Sequence, residues 1–391
     1  MKILFVQDYG VLSGGSERIT VDLRDGLLAR GHDARLFAST AKPLPLPNEA
    51  DYTCFGTSRW PRRLLQVANP LAERRLRHVL AEFRPDIVHV RMFLTQLSPR
   101  ILPALEDFPA LLHLGGYHVI CPIGTRILPD ESKCTFRAGV DCYRQGCVSA
   151  LGLARTLAQF GSWRRHRHVL RRIVANSGAL AETLRANDVG VGRVIPNGTR
   201  IVDPRPALAD PPTIACAGRL MERKGVDVLL TAMRIVVDQL PAARLLVVGD
   251  GPDRARVEGL ASAMSLQEHV RFDGHVARPA LDALLATAWV QAMPSRYAEP
   301  SANVIAEAMM RGTAVVSTNV GGSDELIRDG ETGFLVPPAD PRLLAARLFD
   351  VLGDRTRAER LGAMGRRVAI AELSTDRMID EFESEYASIL R

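Results

Sequence analysis

The chain has 391 residues, of which 47% are hydrophobic and 24% are charged, with a formal net charge of +6 at pH 7. This balance excludes a disordered chain, and the length predicts two domains. Only four of the 50 basic residues are lysines, so the positive charge reflects arginine usage. It is a weak indication of an anionic partner, and no nucleic-acid recognition motif accompanies it.

Short apolar runs alternate with amphipathic stretches from one end of the chain to the other. The predicted strands are KILFV, ARLFAS, DIVHVR, ALLHL and RIVANS in the first half, and TIACAG, RLLVVGDG, VRFDG, WVQAMPS, AVVST and GFLV in the second. Such alternation predicts parallel sheets with helices on both faces, and about a dozen strands predict two sheets. The fold class is therefore α/β, with two doubly wound, Rossmann-like domains.

A proline-rich stretch at residues 197–213 marks the junction between the two domains. We expect an N-terminal domain over 1–205 and a C-terminal domain over 206–373, facing each other across a cleft with ligands at the carboxyl ends of the strands. The amino terminus has no cleavable-signal pattern, and no apolar stretch approaches the roughly 20 residues of a bilayer span. We therefore expect a cytoplasmic protein.

The first strand-end turn contains Gly14 and Gly15, before a helix predicted to start around Ser16 with Glu17 in its first turn. Glycines allow close approach of a ligand, and a helix start offers amide donors to an anion. The spacing matches neither the dinucleotide fingerprint nor a phosphate-binding loop of the Walker type. A tight turn without a ligand explains these residues equally well.

A second loop places Gly218, Arg219, Lys224 and Gly225 between a strand and a helix. An arginine fork and a lysine charge at a strand end suit a diphosphate on which negative charge develops. The alternative is a solvated loop.

A third segment holds Glu299 and Glu307, with a helix predicted to begin around Ala302 or Asn303. The amides of Ser301, Ala302 and Asn303 would then be unpaired and available to phosphate oxygens. Glu307 could accept hydrogen bonds from sugar hydroxyls, and Glu299 from those of another sugar. The alternative is a pair of solvated acids that stabilise a helix start.

Two further features are open to more than one interpretation. His118 follows a predicted strand and Gly115-Gly116, so it could donate to a sugar or a phosphate, or could satisfy loop backbone groups. Cys134, Cys142 and Cys147 cluster without a C-x-x-C pair, so free thiols are favoured over a structural zinc site or a disulfide.

Several of these motifs together resemble a known family. GGSER, GRLMERKG, RLLVVGDGP, VRFDGHV and PSRYAEPSANVIAEAMMRGTAVVSTNVGGSDELIRDGETGFLVP are similar, in order and spacing, to the retaining glycosyltransferases of family 4 (glycosyl transferases group 1), which have the GT-B fold. The resemblance extends through the C-terminal domain from about Ile214 to Pro338. It departs from the family pattern at His118-Val119, where His-Asp is frequent, and at Ser301-Ala302, where an aromatic residue and a glycine are usual.

The resemblance implies that the domain over 1–205 binds the acceptor and that the domain over 206–373 binds the nucleotide-sugar donor. It also implies a role for each matched residue. Arg219 and Lys224 would hold the donor diphosphate, Glu299 would lie beside the donor sugar, and His118 would contact the transferred sugar. The implied donor-binding positions are Gly14, Gly15, Gly218, Gly249, Gly274, His275, Val276, Ser301, Ala302, Asn303 and Glu307, with Glu307 on the ribose. No metal or other cofactor is implied.

The predicted function is therefore retaining transfer of a hexose from a nucleotide-diphosphate donor, with UDP-sugars favoured, to a hydroxyl acceptor such as a growing glycan, a lipid-linked sugar or a natural product. A nucleotide-sugar epimerase of the same fold and a non-catalytic sugar-nucleotide-binding protein are the alternatives.

Two predictions concern the ends and the surface of the N-terminal domain. A terminal helix over 374–391 is expected to complete this domain, with Met378, Ile379, Phe382, Tyr386 and Ile389 on its apolar face. Arginines near Trp60, Phe160 and Trp163 suggest peripheral contact with an anionic membrane, or only a solvated helix face.

Overall fold

The computed structural model describes residues 1–12, 14–59, 62–277 and 280–391, and these divide into two units. Unit 1 comprises Met1–Gly198 and Thr375–Arg391, and unit 2 comprises Thr199–Ser374. Each unit contains one parallel β-sheet with helices packed against it. The α/β class with two parallel-sheet domains is thus confirmed.

The strands are β1 Lys2–Tyr9, β2 Asp33–Ser39, β3 Tyr52–Cys54, β4 Ile87–Val90, β5 Ala110–Leu114, β6 Arg172–Ala175, β7 Arg193–Val194, β8 Thr213–Ala217, β9 Arg244–Val248, β10 Val270–Gly274, β11 Val290–Met293, β12 Ala314–Thr318 and β13 Gly333–Val336. The sheet of unit 1 has the order β3-β2-β1-β4-β5-β6-β7, and that of unit 2 has the order β10-β9-β8-β11-β12-β13. The connection reverses direction between β1 and β4 in unit 1, and between β8 and β11 in unit 2. These reversals are the positions at which doubly wound sheets form ligand crevices.

The α-helices are α1 Gly15–Ala29, α2 Arg62–Leu65, α3 Pro70–Phe83, α4 Val140–Arg144, α5 Ala150–His166, α6 Gly178–Arg185, α7 Val226–Gln239, α8 Arg254–Ala263, α9 Ala280–Ala286, α10 Asn303–Arg311, α11 Ser323–Leu326, α12 Pro341–Leu352, α13 Arg355–Glu372 and α14 Thr375–Leu390. Short 3-10 turns occur at Pro99–Leu105, Arg167–Val169 and Glu222–Lys224. In the part of the chain that is described, no helix combines the length and the apolar character that a membrane span requires.

All eleven predicted strands are present, and two others were missed. Strands β3 and β7 have three and two residues, and each lies at an edge of the sheet of unit 1. Edge strands of this length carry too few residues to show a periodic hydrophobic pattern.

The C-terminal helix α14 packs within unit 1. Its residues Met378, Ile379, Phe382, Tyr386 and Ile389 are all buried in a cluster with residues of α1 and the central strands, such as Leu23 and Phe5. An ion pair also joins α14 to the end of α1. Nη1 of Arg30, the C-cap residue of α1, lies 2.5 Å from Oε2 of Glu383 in α14.

The predicted aromatic membrane patch is wrong for two of its three members. Phe160 and Trp163 lie on the inner side of α5, with 3% and 2% of their surface exposed, and the Trp163 ring contacts that of Phe93 at 5.7 Å between centroids. Both rings therefore contribute to the core because large aromatic surfaces gain most from burial. Trp60 lies outside the described residues.

Candidate functional site

Three glycines meet at the carboxyl edge of the sheet in unit 2. Gly218 follows β8, Gly249 follows β9 and Gly274 ends β10. The Gly249 N–H donates to the Gly274 carbonyl at 2.7 Å, and the Gly218 N–H donates to Val248 at 2.9 Å. Gly249 has φ +138°, and a Cβ there would collide with the Gly218 carbonyl. These strand ends are consequently bare of side chains, which leaves their backbone open to close approach by a ligand.

Lys224 is positioned by the turn that connects β8 to α7. It ends the 3-10 turn Glu222–Lys224, and Gly225 follows with φ +68° and caps α7. A Cβ at Gly225 would collide with the Pro294 carbonyl, so this turn packs directly against the chain after β11. Arg219, at the start of the same connection, is exposed. It takes part in none of the ion pairs between residues that the structure describes.

The carboxylate of Glu299 is the centre of a hydrogen-bond network in unit 2. Its Oε1 accepts from Lys224 Nζ and from Ser295 Oγ, each at 2.5 Å, and its Oε2 accepts from Tyr297 OH at 2.8 Å. Glu299 is 5% exposed, whereas the Lys224 side chain is 29% exposed. Lys224 therefore links a buried carboxylate to the surface of the strand edge.

Aromatic and backbone contacts hold this network in place. The Tyr297 ring lies 5.4 Å from the Arg223 guanidinium and 5.5 Å from Lys224 Nζ. Burial, and then the charge of Glu299, raises the pKa of Tyr297, so its hydroxyl stays protonated and donates. The Glu299 carbonyl accepts from the Gly322 N–H at 2.9 Å, and a Cβ at Gly321, where φ is +61°, would collide with the same carbonyl. This contact explains the glycine at 321.

Glu307 lies in the second turn of α10, half-buried. The helix begins at Asn303 with Ala302 as its N-cap, as the spacing predicts. The prediction that the preceding amides are all unpaired is wrong for Asn303, whose N–H donates to the Ser301 carbonyl at 3.2 Å. Ala302, between the two, is buried.

The remaining predicted residues of unit 2 follow β10. His275 is exposed, and Val276 is half-buried against a small apolar cluster that includes Ala217 and Leu285. Both lie beside Gly274, so they extend the glycine-lined strand edge.

The predicted residues of unit 1 also lie at strand ends. Gly14 is the N-cap of α1, which begins at Gly15, one residue before the predicted start. His118 is exposed and lines a cavity whose volume, including its solvent-open mouth, is about 570 Å³. The His118 ring packs over Gly124, where any Cβ would collide with Nε2.

Two histidines on the adjacent strands β4 and β5 of unit 1 are buried. His113 Nδ1 lies 2.8 Å from Arg91 Nη1 and accepts from it, while His89 Nδ1 lies 2.7 Å from Tyr386 OH. Burial, and then the positive charge of Arg91, holds the pKa of both rings well below its usual value. Both rings are therefore neutral in the folded protein.

This neutrality predicts a loss of stability in mild acid. Below pH about 6.5 both histidines take up a proton in the unfolded chain but not in the folded chain. The free energy of unfolding is therefore fully retained above that pH and decreases as the pH falls below it. Each ring is expected to contribute about 1.4 kcal/mol per pH unit. Urea unfolding at pH 7.5, 6.5 and 5.5 measures the slope. His78→Gln, at an exposed ring in α3, should leave it unchanged, and equal stability at all three pH values would contradict the assignment.

The three cysteines of the predicted cluster are free thiols in the structure. Burial, and to a lesser degree the proximity of the other cysteines, raises the pKa of Cys142 and of Cys147. Among the residues that the structure describes, no group of three or more His, Cys, Asp or Glu side chains is arranged to hold a metal ion.

Sequence reasoning missed the residues that surround the predicted ones. Ser295 and Tyr297 precede Glu299 at steps of two, a spacing that places side chains of an extended segment on one side. That spacing was a usable signal. The network around Arg91 gave none, because Arg91 follows β4 while His113 lies in β5, and the two meet only through the sheet order.

Two family models match this chain in adjacent segments. The model "Glycosyltransferase Family 4" matches residues 13–203, and the model "Glycosyl transferases group 1" matches residues 200–368. Together they extend over almost the whole length of both units.

Individual proteins show the same similarity. The chain is 26% identical to the lipopolysaccharide core biosynthesis glycosyltransferase LpsE of Rhizobium meliloti over 377 residues, 96% of each protein. It is 35% identical over 175 residues to a GDP-mannose-dependent alpha-(1-6)-phosphatidylinositol monomannoside mannosyltransferase of Mycobacterium tuberculosis. That match covers 43% of this chain and 46% of the length of the relative.

Solved structures share the fold across the full length. Sucrose-phosphate synthase from Thermosynechococcus elongatus superposes with a TM-score of 0.75 at 23% identity, covering 99% of this chain and 98% of the other. HepE of Anabaena, in complex with UDP and glucose, superposes with a TM-score of 0.70 at 19% identity, covering 99% and 100%.

Proposed function

Because this chain belongs to the glycosyltransferases of family 4, which have the GT-B fold, we propose that it transfers a hexose from a nucleoside-diphosphate sugar to a hydroxyl acceptor, with retention at the anomeric carbon. The observation that carries the proposal is the pairing of Lys224 with the buried Glu299 beside the glycine-lined strand ends of unit 2.

In the proposed mechanism this pairing aims a fixed cation at the leaving group. Breaking the anomeric bond makes the sugar cation-like and adds negative charge to the diphosphate, so cations in place before the reaction lower the barrier most. One of the three N–H groups of Lys224 Nζ donates a hydrogen bond to Glu299, which leaves two that can donate to phosphate oxygens. The exposed Arg219 would add a planar fork for the same group. We infer that these two cations make a divalent metal unnecessary.

The role of Glu299 follows from its hydrogen bonds. A carboxylate that already accepts from Lys224, Ser295 and Tyr297 is better suited to positioning than to covalent attack. We therefore propose attack by the acceptor on the same face that the diphosphate leaves, with the departing phosphate taking the acceptor proton. A covalent glycosyl intermediate on Glu299 would contradict this route.

The donor is tested by thermal shift with GDP-mannose, UDP-glucose, dTDP-glucose and ADP-glucose. A nucleotide present at 100 times its dissociation constant is expected to stabilise the protein by about 2.7 kcal/mol. The mycobacterial relative acts on GDP-mannose, and the sequence alone favoured UDP-sugars, so these two donors are the first candidates. The donor that raises the melting temperature is then supplied in a turnover assay.

The same assay separates the proposal from its alternatives. Nucleotide release that depends on an added acceptor supports a transferase. Epimerised sugar without an acceptor would indicate an epimerase. Stabilisation without any turnover of donor would indicate a binding protein, and no stabilisation by any of the four nucleotides would contradict the proposed function.

We also propose that unit 1 contacts anionic membranes through α2 and α5. Leu64 in α2 and Leu151 in α5 are 62% and 81% exposed. Arg155 follows Leu151 by one turn, and burial, and then the positive charges of Arg63 and Arg62 in α2, lowers its pKa. Exposed leucines among clustered arginines suit an interface of acyl chains and anionic headgroups.

Flotation with vesicles that contain phosphatidylglycerol tests this contact. We expect binding that is lost in Leu64→Gln/Leu151→Gln and weakened by high salt. The matched control is Leu71→Gln, at a leucine that is 55% exposed in α3 of the same unit. Equal flotation of the double variant and the wild type would exclude this surface.

A further inference from the structure

The cavity of unit 1 lies where its sheet changes direction. Asp8 near the end of β1, Arg91 directly after β4, and Gly115 directly after β5 line it, together with Ser16 of α1 and His118. The Arg91 N–H donates to the Val6 carbonyl at 2.9 Å, so Arg91 continues the pairing of β4 with β1. The carboxyl edge at a reversal of strand order is the usual ligand position in such sheets.

Arg91 is a buried cation whose hydrogen-bonding capacity is only partly used. It is 3% exposed, its Nη1 contacts His113, and its Nε and Nη2 have no hydrogen-bond partner. Burial lowers its pKa to about 10, and the charge of Glu17 partly offsets this, so the side chain remains charged at neutral pH. Leaving two donors of a buried charged group unpaired is costly, and native proteins seldom do so without a function.

The charges near Arg91 do not occupy these donors. The carboxylate of Asp8 accepts from the backbone N–H groups of Thr95, Gln96 and Leu97 at 2.7 to 2.9 Å. Among the described residues no carboxylate lies within ion-pair distance of Arg91. Glu17 acts on Arg91 only through the attraction between their charges, and Arg91 Nε and Nη2 remain without a hydrogen-bond acceptor.

The unpaired atoms have the geometry of an oxyanion receptor. Nε and Nη2 form one edge of the guanidinium plane, which is the edge that binds two oxygens of a carboxylate or phosphate side by side. Three polar atoms converge on Gly115, and a side chain there would crowd two of them. A Cβ there would lie 3.3 Å from Arg91 Nη2, 3.3 Å from Asn176 Nδ2 and 3.8 Å from Ser16 Oγ.

We propose that this cavity binds an anionic group of the acceptor, a carboxylate or a phosphate, through the Nε and Nη2 edge of Arg91, with Asn176 and Ser16 as additional donors. That the anion belongs to an acceptor rests on the proposed transferase function. That an anion binds in this cavity rests on the geometry of unit 1. The substrate class is therefore an acidic acceptor, such as a uronic acid or a sugar phosphate, in contrast to a neutral hexose.

Direct binding to the full chain tests the assignment. The probes are D-glucuronate, glucose 6-phosphate and, as the uncharged reference, glucose, each measured by ligand-observed NMR titration. We expect at least one charged probe to bind at least about tenfold more tightly than glucose. Which of the two binds better distinguishes a carboxylate from a phosphate acceptor.

Four variants define the receptor. Arg91→Met should abolish the preference for charged probes, and Arg91→Lys should restore part of it. Gly115→Ala should reduce the preference because its Cβ would crowd Arg91 Nη2 and Asn176 Nδ2. Arg100→Met, at an exposed arginine of the same unit that pairs with Glu73, is the matched control and should behave as wild type. Thermal unfolding of each variant shows whether it folds.

Three results would overturn the assignment. They are equal binding of glucose and both charged probes, retention of the preference in a folded Arg91→Met, or a loss of nucleotide affinity in Arg91→Met as large as the loss of probe affinity, which would assign the fork to the donor diphosphate. If no nucleotide binds any form of the protein, the transferase proposal fails while the anion result stands independently.

Discussion

Replacing Lys224 with alanine is expected to lower kcat by about 10²–10³-fold, the usual effect of removing one preorganised group that stabilises charge developing in the transition state. The residue offers its charge at the strand edge of unit 2 and is oriented by a buried carboxylate 2.5 Å away. Because the substitution also leaves Glu299 buried without its cation, a fall in thermal stability of a few degrees is expected as well.

The size of the effect on turnover separates a catalytic charge from a merely structural one. Lys42→Ala, at an exposed lysine of unit 1, is the control and should leave both kcat and stability unchanged. Lys224→Arg keeps the charge but not the shape, and we expect an intermediate rate. Wild-type kcat in a folded Lys224→Ala variant would remove Lys224 from the mechanism.

The second large effect is expected at Gly249. A Cβ at φ +138° is strained, and here it would also collide with the Gly218 carbonyl. The clash is with backbone, which cannot move without disturbing β8. Gly249→Ala is therefore expected to destabilise the protein by about 3 kcal/mol or more, a fall in melting temperature of roughly 6–12 °C.

The chain offers a matched control for this substitution. Gly259 lies within α8, and a Cβ there would meet no atom within 4 Å. Gly259→Ala should be neutral or raise stability by up to about 1 kcal/mol, because alanine is the better helix former. Differential scanning calorimetry of the two variants compares them directly. Similar melting temperatures would show that the strand edge tolerates a side chain at 249.

The sequence predicted the architecture well because alternating apolar runs and amphipathic segments report burial directly. It placed Lys224 and Glu299 at strand ends but not in contact. Their meeting depends on the adjacency of β8 and β11, which pair through Ile214 and Val290. Lys224 and Glu299 are 75 positions apart along the chain.

Local details were harder to predict where packing overrides local preference. The amide of Asn303 folds back onto the Ser301 carbonyl around the buried Ala302, and no pattern of residue types records that turn. Phe160 and Trp163 looked interfacial among arginines, but α5 turns them into the core. For Trp163 the deciding contact comes from another part of the chain, the ring of Phe93.

The central claim is that the strand edge of unit 2 binds the nucleoside diphosphate. A crystal structure of the full chain with the donor nucleotide selected by thermal shift tests it most directly. We predict diphosphate oxygens within hydrogen-bond distance of Lys224 Nζ and the ribose hydroxyls on the Glu307 carboxylate. A nucleotide bound elsewhere, with Lys224 still engaged only by Glu299, would contradict the account.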